Sequence, residues 1–351
     1  MAGDAEVAAM RRALVLAQTP DVTPGPNPLV GAVVLDARGE TLAEAYHRGA
    51  GTPHAEAEAV RQAAEHAAGA TVVVSLEPCH HTGRTGPCTQ ALVDAGVRRV
   101  VFAQADLNPE AGGGAEALRT AGVDVEGGVL ADESAALNEV WTFAIRQRRP
   151  FVTWKFAATL DGRSAASDGS SRWITGPQAR ADVHRQRAVC DTVLVGTGTA
   201  LADNPRLNVR GGDGHPLPRD RQPLRAVMGM RTIPPSSAVL DESAHTVVLR
   251  TQDPHAALDE LFAQERRHVW LEGGPTLAAA FLRAGLVDEV VAYVAPTLLG
   301  AGPNAVADLG VTTVEEQLRL ELVSVQRLDD DLRLTLRRHT HEEQHQLRGR
   351  H

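Results

Sequence analysis

Glu77-Pro78-Cys79-His80-His81-Thr82-Gly83-Arg84-Thr85-Gly86-Pro87-Cys88 is the stretch on which the reading of this chain turns, together with His54-Ala55-Glu56 upstream of it. An Ala/Glu-rich run over 54–68 predicts a helix opened by the His-x-Glu triplet, and the β-branched run 71–76 predicts a strand that feeds the Pro-Cys loop. Zinc deamination needs three soft or borderline ligands, one open position for water and a carboxylate beside it. The usual pattern is H-x-E followed by P-C-x-x-C, with the Glu carrying protons rather than holding the metal. Here the second cysteine follows after eight intervening residues rather than two. Gly83, Gly86 and Pro87 let the loop fold back, and a helix beginning at Cys88 favours the thiolate that zinc requires. The expected ligands are therefore His54, Cys79 and Cys88, with Glu56 as the catalytic proton carrier. Buried thiols, a closed structural zinc site, or ligation by His80 or His81 are the competing readings. Glu56 speaks against a structural site, which has no use for a proton carrier.

Composition narrows the function classes. The chain has 351 residues, 43% hydrophobic and 23% charged, enough for two domains with separate cores. A net charge of −9 and an aromatic content of 3% argue against a nucleic-acid surface or a single-strand stacking platform. No apolar run approaches the roughly 18 residues that span a bilayer. Residues 1–7 are small and acidic, unlike a signal peptide, so the expected location is the cytoplasm. Three cysteines, Cys79, Cys88 and Cys190, point to metal binding or burial rather than disulfides.

Along the chain, 5–18 reads as an amphipathic helix, and a Pro-rich loop over 19–28 ends in Asn27-Pro28. Strands are expected at 29–35, 41–47, 71–76, 97–103 and 123–125, with helices at 88–95, 115–121 and 131–148. Strands alternating with helices imply α/β architecture. The basic stretch before Pro150 marks a boundary, giving domains 1–147 and 148–340 and a polar tail 341–351. The second domain shows strands at 151–157, 193–196, 226–230, 246–249, 268–271, 289–295, 320–328 and 332–338. Two glycine turns stand out there, Gly196-Thr197-Gly198-Thr199 after a strand and Gly273-Gly274-Pro275-Thr276 opening a helix. Either can hold a phosphate on backbone N–H groups or serve as a tight packing turn. Neither is G-x-G-x-x-G, so a Rossmann dehydrogenase is not supported.

The loop 77–88 resembles the signature E-P-C-x-H-x-G-R-T-P-P-C of the bifunctional riboflavin-biosynthesis family, the diaminohydroxyphosphoribosylaminopyrimidine deaminase/aminophosphoribosylaminouracil reductases. The likeness spans about residues 5–338. It includes Asn27-Pro28-Leu29-Val30-Gly31-Ala32-Val33, Arg149-Pro150-Phe151-Val152-Thr153-Trp154-Lys155 and Thr159-Leu160-Asp161-Gly162-Arg163. It continues through Ser171-Arg172-Trp173-Ile174-Thr175, Pro205-Arg206-Leu207-Asn208-Val209-Arg210 and Glu272-Gly273-Gly274-Pro275-Thr276-Leu277.

The resemblance implies an N-terminal cytidine-deaminase-like three-layer domain and a C-terminal dihydrofolate-reductase-like domain. It implies zinc-dependent removal of an amino group from a phosphorylated ribosylaminopyrimidine, then NADPH-dependent reduction of the ribosyl group to ribityl. Zinc falls to His54, Cys79 and Cys88, and Asn27 and Arg84 would hold the deaminase substrate. NADPH would meet Ala157, Trp173, Thr199, Asp203, Gly274, Pro275, Thr276, Leu277 and Ala278. Lys155, Ser171, Arg187, Leu207, Arg210 and Glu272 would meet the reductase substrate, with Arg187 and Arg210 suited to its phosphate. A small-molecule partner and a homo-oligomer are implied, with no nucleic acid and no membrane. The chain departs from the family at Gly86 and Leu107, where prolines are usual, and at Gly229-Met230, where D-S is common. It also lacks a basic residue after Pro109. A zinc deaminase of another base with a repurposed second domain, and a zinc-stabilised nucleotide-binding scaffold, are the competing functions.

Overall fold

Valine and alanine dominate the strands, and the alternation of their side chains decides what packs on each sheet face. The computed structural model describes residues 1–19, 25–109 and 111–338. The chain divides into two units, Met1–Arg148 and Arg149–His351.

The first unit holds strands β1 (Gly31–Leu35), β2 (Thr41–Tyr46), β3 (Thr71–Leu76), β4 (Arg99–Gln104) and β5 (Asp124–Gly127). Its helices are α1 (Asp4–Leu16), α2 (Ala55–Ala63), α3 (Cys88–Asp94), α4 (Gly114–Thr120), α5 (Ala131–Leu137) and α6 (Glu139–Gln147). The sheet order is β2-β1-β3-β4-β5, with β1 antiparallel to both neighbours and β3, β4 and β5 parallel. Val72, Val74 and Val100 pack with Ala59, Leu92 and Leu118 from α2, α3 and α4. Val73 and Val101 pack on the opposite face with Met10 and Ala13 of α1. Strands lined on both faces by apolar side chains thus give three layers.

The second unit holds β6 (Phe151–Thr159), α7 (Pro177–Ala188), β7 (Thr192–Gly196), α8 (Thr197–Asp203), β8 (Leu224–Met228) and β9 (Thr246–Leu249). It continues with α9 (Pro254–Ala263), β10 (His268–Leu271), α10 (Pro275–Arg283), β11 (Glu289–Ala295), β12 (Leu320–Leu328) and β13 (Asp331–Arg338). The eight-stranded order is β12-β13-β11-β6-β10-β7-β8-β9, parallel from β11 to β9. One face packs Leu194, Ala226 and Leu271 against Leu258, Leu261 and Phe281. The other sets Val193, Val227 and Trp270 against Ala179 and Ala200.

The continuous helix expected over 131–148 is corrected to two, α5 and α6, which meet at Asn138. Asn138 is buried because its amide clasps Leu29, accepting from Leu29 N–H (2.8 Å) and donating to Leu29 C=O (2.9 Å). A tertiary bond pair therefore replaces local helical geometry. Helices α7, α8 and α9 were not read from the sequence: α7 is polar and α8 is short, while α9 was passed over although it carries an apolar face of Ala257, Leu258 and Leu261. Within the readings above, 20–24, Glu110 and 339–351 lie outside the described residues.

A buried polar seam runs beneath β10. His268 Nε2 accepts from Thr153 Oγ1 at 3.0 Å and lies 3.6 Å from Cys190 Sγ, and burial pushes the imidazole down to about 4. An unfolded histidine protonates near ~6.5, so between these values the unfolded chain binds the extra proton. Stability due to His268 is therefore complete above that range and falls as pH drops through it. In urea unfolding, we expect His268→Gln to remove about 2 kcal/mol of the wild-type loss between pH 7.5 and 5. An identical pH slope in the two proteins would contradict this assignment.

Candidate deaminase and reductase sites

Three elements converge at the C-terminal end of β3. His54 is the N-cap of α2, held extended at φ −71° and ψ 156°. Cys79 follows β3 after Pro78, and Cys88 is the first residue of α3, behind the N-cap Pro87. His54 Nδ1 stands 3.1 Å from Cys88 Sγ and 3.5 Å from Cys79 Sγ, and the three donor atoms all lie within 4.8 Å of one another. Donors on a tetrahedral zinc with two sulfurs and one nitrogen are roughly 3.6–3.8 Å apart, so the set fits the metal. Both thiols are buried and unbridged. A hydrogen bond from Cys88 and the neighbouring His54 draw Cys79 down to about 4, whereas that same bond and burial push Cys88 up. His80 is exposed and bonds Thr89 Oγ1 at 2.9 Å, and neither it nor His81 belongs to the donor cluster.

Glu56 sits two residues into α2 with only 4% exposure. Its Oε2 has no hydrogen-bond partner among the described residues, and burial pushes its carboxyl above the ordinary range. A buried carboxylate oxygen left open beside three metal donors is a poor structural element and a suitable proton carrier.

The surroundings hold this geometry in ways that spacing did not reveal. Gly114 approaches Pro78 so closely that a Cβ would stand 1.8 Å from Pro78 C=O. Glu77 Oε1 accepts from Ala115 N–H (2.9 Å) and Oε2 from Asp106 N–H (3.2 Å), which ties the loop after β4 to the Cys79 loop. Asp106 Oδ1 in turn accepts from Asn108 N–H at 2.8 Å, so the turn forms with Leu107 in place of proline. A Cβ at Gly86 would meet nothing within 4 Å, and glycine there crowds no neighbour.

Asn27, expected to hold substrate, donates from Nδ2 to His47 Nε2 at 2.8 Å. His47 Nδ1 faces Pro53 C=O at 3.1 Å, and burial lowers its pKa, so the neutral imidazole donates there and accepts from Asn27. Its ring also packs edge-on against His54, with centroids 5.1 Å apart. Sequence reading missed His47; the signal was a histidine closing an alternating strand. Arg84 lies exposed in the Cys79–Cys88 loop.

In the second unit, Lys155, Arg187 and Glu272 form one largely buried group. Arg187 Nε and Nη2 donate to the two Glu272 oxygens at 2.5 and 2.8 Å, and Nη1 donates to Asn208 C=O at 3.0 Å. Trp270 Nε1 adds a bond to Glu272 at 2.7 Å. Burial opposes ionisation of Glu272, but Arg187 and Lys155 hold it at about 2, and burial lowers Lys155. Arg187 is thus committed to Glu272 and the 208 carbonyl, rather than standing open as a phosphate holder. Arg210 is exposed, and its Nη1 donates to Gly214 C=O at 3.4 Å. Leu207 is buried at φ +53°, while Ser171 and Trp173 are exposed. Arg172 links their loop to Asp203 C=O at 2.8 Å.

The two glycine turns abut at the C-terminal ends of β7 and β10. A Cβ on Gly196 would lie 3.6 Å from Leu277, and one on Gly274 would lie 3.5 Å from Thr199 Oγ1. Gly274 is the N-cap of α10 and has no side chain to cap it; Pro275 at the first helical position has no N–H, so the donors this end can offer an anion are those of Thr276 and Leu277. Ala157 on β6 and Pro275, Thr276 and Ala278 on α10 belong to the same sheet and its covering helix. These glycine cradles fit a dinucleotide cofactor.

Comparison with known proteins bears on both units. The family described as the cytidine and deoxycytidylate deaminase zinc-binding region matches residues 4–104, and the RibD C-terminal domain family matches 150–334. The riboflavin biosynthesis protein RibD of Mycobacterium tuberculosis (strain H37Rv) is 50% identical over 313 residues, covering 89% of this chain and 91% of that protein. The protein of the same name from Escherichia coli (strain K12) is 38% identical, covering 93% and 98%. The solved Acinetobacter baumannii RibD structure (form 2) superposes with a TM-score of 0.88 at 38% identity, over 95% of this chain and 99% of that one.

Replacing Glu77 by Ala would strand two backbone donors beside the metal donors. We expect Glu77→Ala to weaken zinc binding about 10–100-fold, read by competition with a chelator, and to lower stability by roughly 2 kcal/mol or more. Unchanged zinc affinity would show that the clamp does not position Cys79.

Proposed function

This chain belongs to the RibD family of bifunctional riboflavin-biosynthesis enzymes, a deaminase joined to a reductase, and from that premise we propose which residues carry each reaction. His54, Cys79 and Cys88 hold the zinc of the deaminase. When bound, zinc acidifies water toward a pKa of about 7 and so supplies a nucleophile near neutral pH. Glu56 accepts a proton from the water that attacks the amino-bearing carbon of the pyrimidine and returns it to the departing ammonia. The observation that carries this role is its buried, unpartnered Oε2 beside the donor cluster. His47 keeps Asn27 turned to the substrate base, and Arg84 approaches from the loop above.

In the reductase, NADPH supplies the hydride and the glycine turns hold it. Lys155 and Glu272 bind the substrate, and Arg187 fixes Glu272 and the 207–210 loop, which leaves the substrate phosphate to Arg210. The substrate is a small phosphorylated pyrimidine nucleotide. No helix among the described residues is long and apolar enough to cross a membrane. We assign the reactions to the cytoplasm, a reducing compartment that suits a site built on free thiols. Strand β12 lies at the sheet edge and exposes Leu322, Val323 and Val325, which supports assembly of several copies.

Supplying the diaminopyrimidine substrate with NADPH should release ammonia and then oxidise the cofactor. Glu56→Gln is expected to retain zinc while deamination falls by about 10²–10⁴-fold; full activity in that variant would remove Glu56 from the mechanism. Cofactor oxidation should resume in Glu56→Gln when the deaminated product is added directly.

A further inference from the structure

Side chains two residues apart on a strand share a face, so Lys155 and Ala157 of β6 lie together, and parallel pairing with β11 sets Val291 and Tyr293 beside them. On the other flank Trp270 pairs with Thr153, which puts Glu272, two residues on, on that same face. Lys155 therefore stands between a carboxylate from β10 and an aromatic ring from β11. The carboxylate is already engaged, since Arg187 and Trp270 bond its oxygens. Among the described residues no hydrogen bond or ion pair holds the Lys155 ammonium, although the side chain is half-buried. Its Nζ instead lies 5.9 Å from the centroid of the Tyr293 ring, within the roughly 6 Å over which a ring face attracts a cation. That ring is fully buried, and its hydroxyl donates to Asp182 Oδ2 at 2.7 Å. Asp182, itself buried on α7, also accepts from Arg333 Nη1 at 3.0 Å and Arg185 Nη2 at 2.9 Å. The ring is thus moored at its far end and cannot turn its face away from Lys155.

We propose that Tyr293 is a positioning residue for the reduction: its ring, tethered by Asp182, steadies the Lys155 ammonium and leaves that group's N–H donors to the substrate. This rests on the reading of Lys155 as a substrate contact given above. Burial and Arg187 of α7 both favour the neutral amine, whereas Glu272 of β10 opposes them, and β11 brings a phenol that burial and Asp182 keep uncharged. A carboxylate bonded directly to Lys155 would also hold the charge, but it would consume donors that the substrate needs. A ring face favours the cation while taking none of them.

The test is steady-state reduction by the zinc-loaded full chain, supplied with the deaminated product and NADPH, from neutral to alkaline pH. Tyr293→Phe keeps the ring, and phenylalanines with one, two or three fluorines at position 293 drain its negative face at nearly constant shape. KM for the deaminated product is expected to rise stepwise along that series, reaching about 3–30-fold, the range of a cation–π contact. Over the same series kcat should change less, and KM for NADPH should stay within about twofold. A weaker ring favours the neutral amine, so the alkaline limb of kcat/KM should move to lower pH with each fluorine, by up to about one unit. Tyr293→Leu should move it furthest, with an unchanged KM for NADPH reporting an intact fold; if that variant does not fold, the fluorinated series decides. A Lys155→Met variant with wild-type kcat/KM would remove Lys155 from the site, and this inference with it. If Lys155→Met is impaired but fluorination changes neither KM nor the alkaline limb, the inference alone is overturned. A KM rise in Tyr293→Leu with the limb unmoved would also overturn it, by giving Tyr293 a packing role only.

Discussion

The deaminase unit depends on one close encounter, in which two sulfurs, an imidazole nitrogen and a carboxylate with one oxygen left open are delivered to the end of β3 by separate elements. Burying such groups is unfavourable unless something compensates them. Much of the unit reads as the means of holding them there. Strand β3, apolar on both faces, fixes where Cys79 emerges. Helices α2 and α3 start at the site, which places His54 and Cys88 beside Cys79. Glu77 and Gly114 then lock the loop against the next crossover. Removing any of these supports moves a donor atom while leaving the donor set itself intact.

The two units treat buried charge in opposite ways. In the first, Glu56 keeps an oxygen without a partner, and the resulting upward push on its pKa suits a group that must take and release protons. In the second, Glu272 is satisfied on every side by Arg187, Trp270 and the nearby Lys155, and it stays ionised. A carboxylate held so firmly serves as a fixed anchor. The price of burying it is met by hydrogen bonds that also tie down the loop carrying Leu207 and Arg210.

A net charge of −9 argues against broad attraction to nucleic acid, yet the ligands of this family carry phosphates. The protein resolves this locally. Glycine turns offer backbone donors, and a single exposed arginine, Arg210, adds positive charge on the loop that Arg187 ties down. Such features are invisible in totals, because a few side chains do not alter the overall charge balance.

The chain's local order was legible where local physics dominates. Short apolar and β-branched runs gave β3, β9, β10, β11 and β12 at the residues where the structure has them. The cluster of His54, Cys79 and Cys88 was likewise readable, because metal chemistry admits few residue types and each stood at a helix start or strand end. What escaped was everything that depends on a distant partner. Asn138 breaks a helix in order to clasp Leu29, and His47 becomes part of the site only when β2 brings it against His54 and Asn27. Arg187, read from the sequence only as a substrate contact suited to phosphate, is set on Glu272 by folding. A residue's type and its neighbours in sequence state what it can do, whereas burial and long-range hydrogen bonds decide which of those things it does. Those are settled only once the strands have paired.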